Sequence, residues 1–173
     1  KQLSVYGCFV KAHDLQSDFV WYNLDHSFEP LAEGKDTLYR IGCTNNRNHY
    51  LTAMSPSGEM VWKYPTISFM DICETVYYPL RGSFEKEGTF HLFCAEDEEL
   101  WYVLLDVSTG DVKHRELLQQ DMYETWSIRT MGIYPYAATH ILRQDNTIFL
   151  TGMEKQGTYV AAYTLQEDGL LQE

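Results

Sequence analysis

Four consecutive carboxylates, Glu96-Asp97-Glu98-Glu99, form the densest group of potential ligands in the chain. Such a run could hold Ca²⁺, but a calcium loop spaces its oxygen ligands around a glycine, as in D-x-[DN]-x-[DN]-G, and no such spacing surrounds these four. Adjacent like charges repel and stay in water, so the run reads as a solvated hairpin tip and an acidic docking patch. Six histidines (His13, His26, His49, His91, His114, His140) are scattered, with no H-x-x-x-H pair and no G-x-S-x-G elbow among them. His91 stands in the alternating stretch Thr89-Phe90-His91-Leu92-Phe93, the setting of a half-buried, hydrogen-bonded histidine rather than of a general base. Cys8, Cys43, Cys73 and Cys94 are spaced by 35, 30 and 21 residues and form no C-x-x-C pair. That fits no zinc framework; buried free thiols are expected first and disulfides second. No glycine-rich phosphate cradle is present. These patterns designate no catalytic residue, no metal ligand and no cofactor.

The aromatic content points to binding or packing instead. Four tryptophans (Trp21, Trp62, Trp101, Trp126) accompany 13 tyrosines and 8 phenylalanines. Aromatics at repeating positions cement neighbouring sheets, and those left on a rim serve as binding anchors because they lose little entropy on docking. Tyr78, Tyr134 and Tyr136 stand beside prolines in connecting segments. With Glu96, Asp97, Glu98 and Glu99, they are the candidate partner-binding residues.

The elements that must hold these residues are β-strands. A chain of 173 residues, 45% hydrophobic, can bury one ordinary core, so a single domain spanning 1–173 is expected. Its formal charge of -12 disfavours phosphate backbones and anionic lipid heads, and no run of about 18 apolar residues suggests a membrane span. Nucleic acid and membrane are therefore not expected partners; a protein is. The chain starts at Lys1 without a signal-peptide pattern, which suggests a processed or trimmed start, and localisation stays open.

The stretch from Asp36 to Tyr64 reads as three strands joined by a polar turn and by Ser55-Pro56-Ser57-Gly58. Its frame recurs. Thr37, Thr89 and Thr147 each follow a turn residue, and Gly42, Cys94 and Gly152 stand five positions later. Aromatic-led strands then begin at Tyr50, Tyr102 and Tyr159, and turns with Gly58, Gly110 and Gly169 end them. Glycine supplies the positive φ of a tight hairpin. A looser first copy pairs Leu3 to Val10 with Phe19 to Tyr22. Tyr78-Pro79 and Tyr134-Pro135 mark segments that add a further strand to their units. The units are approximately 1–35, 36–87, 88–145 and 146–173, a period in the range of propellers and arrays. The one candidate helix is Arg115 to Tyr123.

The phrase from Tyr50 to Tyr64 resembles the repeat of quinoprotein-like β-propellers (the PQQ-like repeat), in which a strand ends in Ala-Leu-Asp, the turn carries Thr-Gly, and the next strand ends in Trp. Leu104-Leu105-Asp106-Val107-Ser108-Thr109-Gly110 matches the first half, with His114 and Arg115 near the place of the closing Trp. The resemblance implies an all-β fold of repeated antiparallel three- to four-stranded sheets, propeller-like, with about four blades or as part of a larger ring that a second chain could complete. In that superfamily the repeat serves dehydrogenases, assembly scaffolds and sensors, so fold alone does not select a function. With repeats clear and no catalytic constellation, the expected function is a non-catalytic module binding a protein through loops and one face. The alternatives are a small-molecule or Ca²⁺ sensor or enzyme using the central channel, and an acidic antagonist of a basic protein.

Overall fold

The computed structural model describes residues 2–6, 9–13, 29–43, 49–64, 77–96, 99–120, 139–154 and 157–173. Every regular element among the described residues is a β-strand. An N-terminal hairpin pairs β1 (Gln2–Tyr6) with β2 (Phe9–His13), Tyr6 opposite Phe9. The expected single strand Leu3 to Val10 is therefore two paired strands, and the expected partner Phe19 to Tyr22 lies outside the described residues.

Three antiparallel sheets follow. Sheet I has the order β3 (Glu29–Glu33), β4 (Leu38–Cys43), β5 (His49–Met54), β6 (Met60–Tyr64). Sheet II runs β7 (Tyr77–Pro79), β9 (Thr89–Glu96), β10 (Glu99–Asp106), β11 (Val112–Gln119), with β8 (Phe84–Lys86) pairing the other half of β9. Sheet III is β12 (His140–Gln144), β13 (Thr147–Glu154), β14 (Gly157–Leu165), β15 (Leu171–Gln172). Each sheet thus begins before the threonine that marks its repeat, with one strand in sheets I and III and the two short strands β7 and β8 in sheet II. The candidate helix at Arg115 is overturned in the described residues: Arg115 to Gln119 belong to β11. Helix-favouring side chains there yield to the hydrogen bonds and packing offered by β10, because propensity is a weak prior against tertiary pairing.

Sheet II is buried on both faces, and strand alternation explains how. Phe90, Leu92 and Cys94 of β9, with Val103 and Leu105 of β10, pack into one core with Tyr39, Leu51, Ala53 and Trp62 of sheet I. Phe93, Ala95, Leu100, Tyr102 and Leu104 point the other way, into a second core with Ile148, Leu150, Tyr159, Leu165 and Leu171 of sheet III. A strand with both faces covered reads as a continuous apolar run, as Phe90 to Ala95 does. Burying a large side chain of this kind contributes roughly 1.5–3 kcal/mol, so these two cores dominate the stability. The far face of sheet I is covered over β4 and β5 as well, since Leu38, Arg40, Thr52 and Met54 are none more than 9% exposed, while Met60 on the edge strand β6 stays in water.

The same pairing register recurs in the three sheets. Taking the threonines as equivalent, Tyr39 matches His91 and Phe149, and their cross-strand partners are Ala53, Leu104 and Ala162. Tyr50 therefore matches Trp101 and Tyr159, while Tyr102 matches Leu51 and Val160. The sequence alignment of Tyr102 with Tyr50 and Tyr159 was one residue out, which in a strand is a change of face.

Turn glycines lock neighbouring sheets. Gly58, Gly110 and Gly169 have φ of 87, 77 and 86°. The Trp62 indole lies on Gly110, where an added Cβ would come within 2.7 Å of the ring, and its Nε1–H donates to the Val107 carbonyl at 2.8 Å. Asp106 shapes that turn: its Oδ1 accepts from Ser108 N at 2.8 Å and Thr109 N at 3.2 Å, while Lys113 pairs with its Oδ2 at 2.9 Å. Across the other interface, the Tyr102 hydroxyl donates to the Gly169 carbonyl at 2.7 Å.

Gly88 supplies a control for Gly110, because its φ is 75° but nothing lies within 4 Å of its would-be Cβ. Gly88→Ala should cost about 1 kcal/mol from backbone strain alone. Gly110→Ala should cost about 1–3 kcal/mol more, because Trp62 must move. Urea denaturation of both variants measures the difference; equal losses would mean that Trp62 does not dock on this turn.

Candidate functional site

The carboxylate run sits where β9 turns into β10. Glu96 and Glu99 stand opposite each other in register, so the connection between them is Asp97 and Glu98, which lie outside the described residues. Strand alternation puts Cys94, Glu96, Trp101 and Arg115 on the face of sheet II that meets sheet I. The Arg115 guanidinium pairs with Glu96 and stacks over the Trp101 ring at 4.0 Å from its centroid. Trp101 Nε1 in turn donates to Glu99 Oε2 at 3.1 Å. Tyr64, at the end of β6, completes the group from sheet I. Its hydroxyl is pushed up to about 12, first by burial, then by the nearby Cys94 and Glu96, with Arg115 opposing.

This arrangement joins an exposed planar cation, a half-buried indole and a phenol with two carboxylates at one rim. Arg, Trp and Tyr are the residue types that carry most binding energy at protein interfaces. Here the guanidinium is held flat by its aromatic platform and its ion pair, so little side-chain freedom is lost on docking.

Of the sequence candidates, the structure brings together Glu96 and Glu99. Tyr78 lies within β7, its backbone paired with Ala95, rather than in a connecting loop. Tyr134 and Tyr136 fall outside the described residues, as do Cys8 and Cys73. Cys94 is a buried thiol outside any disulfide, as expected. Trp101 and Arg115 were missed as site residues. Their signal was available: Arg115 sits at an alternating position only if its segment is read as a strand. Among the described residues, no three or more His, Cys, Asp or Glu side chains gather as metal ligands, and no helix is long and apolar enough to cross a membrane.

His91 is 2% exposed, more buried than the alternating stretch suggested. Its Nδ1 lies 2.6 Å from the Tyr102 hydroxyl; since that hydroxyl gives its proton to Gly169, Nδ1–H is the donor. The imidazole also stacks on Phe84 at 4.5 Å, and Arg143 covers the other side of that ring. Burial, then the positive charges of Lys86 and Arg143, push His91 down to about 4. It is a neutral structural group joining sheets II and III.

Compared with known proteins, the chain matches no family model, no curated protein and no solved structure.

A histidine depressed in the folded state destabilises the fold where the unfolded chain takes up a proton and the native chain does not. Stability should therefore fall as pH drops from 6.5 toward about 4, by on the order of 2 kcal/mol at pH 5. His91→Phe, which can still stack on Phe84, should remove this slope between pH 6.5 and 5. Asp106, depressed by its hydrogen bonds to Ser108 and by Lys113, acts lower: its contribution is present above the usual carboxylate range and lost as pH falls through and below it. Denaturant titrations at several pH values check this; an unchanged slope in His91→Phe would exclude His91 as its source.

Proposed function

We propose that the chain is a non-catalytic, propeller-like interaction module that binds a protein through the rim where β9 meets β10. The observation carrying this reading is the Arg115–Trp101 stack flanked by Glu96 and Glu99: interface-type side chains held in a fixed geometry at an exposed edge. Three groups with shifted protonation spend their bonding capacity on the fold: His91 on Tyr102, Asp106 on its turn and Tyr39 on Glu85. The acidic tip and the charge of -12 suit a basic segment as the partner surface, since complementary charge speeds encounter.

The three sheets fit consecutive blades of a quinoprotein-like propeller. In support, the same pairing register recurs in sheets I, II and III, and Trp62 of β6 docks on the next sheet's turn glycine.

A photo-crosslinking residue placed at Glu99 tests the binding reading in extracts of the source cells. A discrete heterologous adduct, weakened by Arg115→Ala and by added salt, is expected. A folded protein giving no adduct from this position, or one indifferent to Arg115, would overturn it.

A further inference from the structure

The outward face of sheet III is built like two faces that are covered. Its positions Phe149, Val160 and Ala162 correspond to Tyr39, Leu51 and Ala53 of sheet I and to His91, Tyr102 and Leu104 of sheet II. Those six are buried, each no more than 4% exposed. On sheet III, Val160 is 73% and the neighbouring Leu142 is 64% exposed. The remaining positions of this face on β12, β13 and β14 are mostly threonines, and none is Asp, Glu, Lys or Arg. In a chain carrying -12, a sheet face without a formal charge is a break in the surface repulsion.

We propose that this face pairs with the same face of a second copy of the chain, a two-fold sheet-on-sheet contact taking the place of a further blade. Two observations select a second copy. The far face of sheet I is buried except at Met60 on its edge strand, so among the described sheet faces of known burial the outward face of sheet III is the most open to pair. A face meeting itself must tolerate like against like, which one without formal charge does and the acidic remainder of the surface does not. The size also suits a reversible pair. Strands of 5, 8, 9 and 2 residues, at ~3.3 Å per residue and ~4.8 Å between strands, give a footprint of roughly 400 Å² per copy. With relief from the side chains, two such faces reach the lower end of specific interfaces, ~1,000 Å² in total. The dimer is therefore concentration-dependent.

This inference stands apart from the rim reading, because Glu99 and Arg115 lie on sheet II and the proposed contact on sheet III. Sedimentation of the purified chain under reducing conditions, from micromolar to high micromolar concentration, tests it. A reversible monomer–dimer equilibrium is expected, with the dissociation constant raised at least tenfold in Leu142→Lys/Val160→Lys, whose melting temperature should match that of the parent. Should that variant fail to fold, Thr164→Lys on the same face serves in its place. A chain that stays monomeric throughout, or a dimer that the face variants leave intact, overturns the proposal. A monomeric chain that still gives the Glu99 adduct would refute this contact and leave the rim reading standing.

Discussion

Two-sided burial of sheet II is the constraint on which the rest of the structure depends. A single four-stranded sheet can hide one face against one partner, but β9 and β10 alternate apolar side chains onto both faces. Neither face can be left in water, so sheets I and III are held in place by what sheet II must bury. The stacked pair Tyr39 and Phe90, with centroids 3.8 Å apart, lies in one interface, and Tyr102 on Gly169 closes the other. Dispersion and apolar burial supply the energy, while the directional contacts fix which turn meets which ring.

The directional contacts also explain why polar groups occur in the cores. Tyr39 is buried, yet its hydroxyl reaches Glu85 Oε2 at 2.7 Å, and the burial and that carboxylate together hold the phenol well above its ordinary range. Arg40 is 1% exposed, and burial lowers its guanidinium to about 10, which leaves it cationic at neutral pH. Ser83 interrupts the edge strand between β7 and β8, and its hydroxyl both donates to Leu80 O and accepts from Phe93 N. Tyr39 and Ser83 thereby satisfy groups that a wholly apolar filling would strand.

Much of the all-β architecture was legible from the spaced threonines and turn glycines, because positive φ and strand starts leave residue-specific marks. The strands around Leu38, Tyr50 and Val61 follow directly. What escaped was decided by contacts between distant segments. Arg115 to Gln119 has helix-forming side chains, and only pairing with β10 makes it a strand. Tyr102 carries the same label as Tyr50 and Tyr159, but the register gives that position to Trp101, so the tyrosine turns inward to His91. The rim site was half visible: four carboxylates announce a tip, whereas the Arg115–Trp101 stack depends on a strand pairing that periodicity in a short segment does not reveal.

The central claim, that sheet II is the doubly covered middle layer, is tested most directly by native-state hydrogen exchange resolved to single amides. The account predicts that the paired amides of β9 and β10 exchange only through global unfolding, while those of β14, whose strand has one open face, exchange through smaller openings. Faster exchange in β9 and β10 than in β13 and β14 would contradict it.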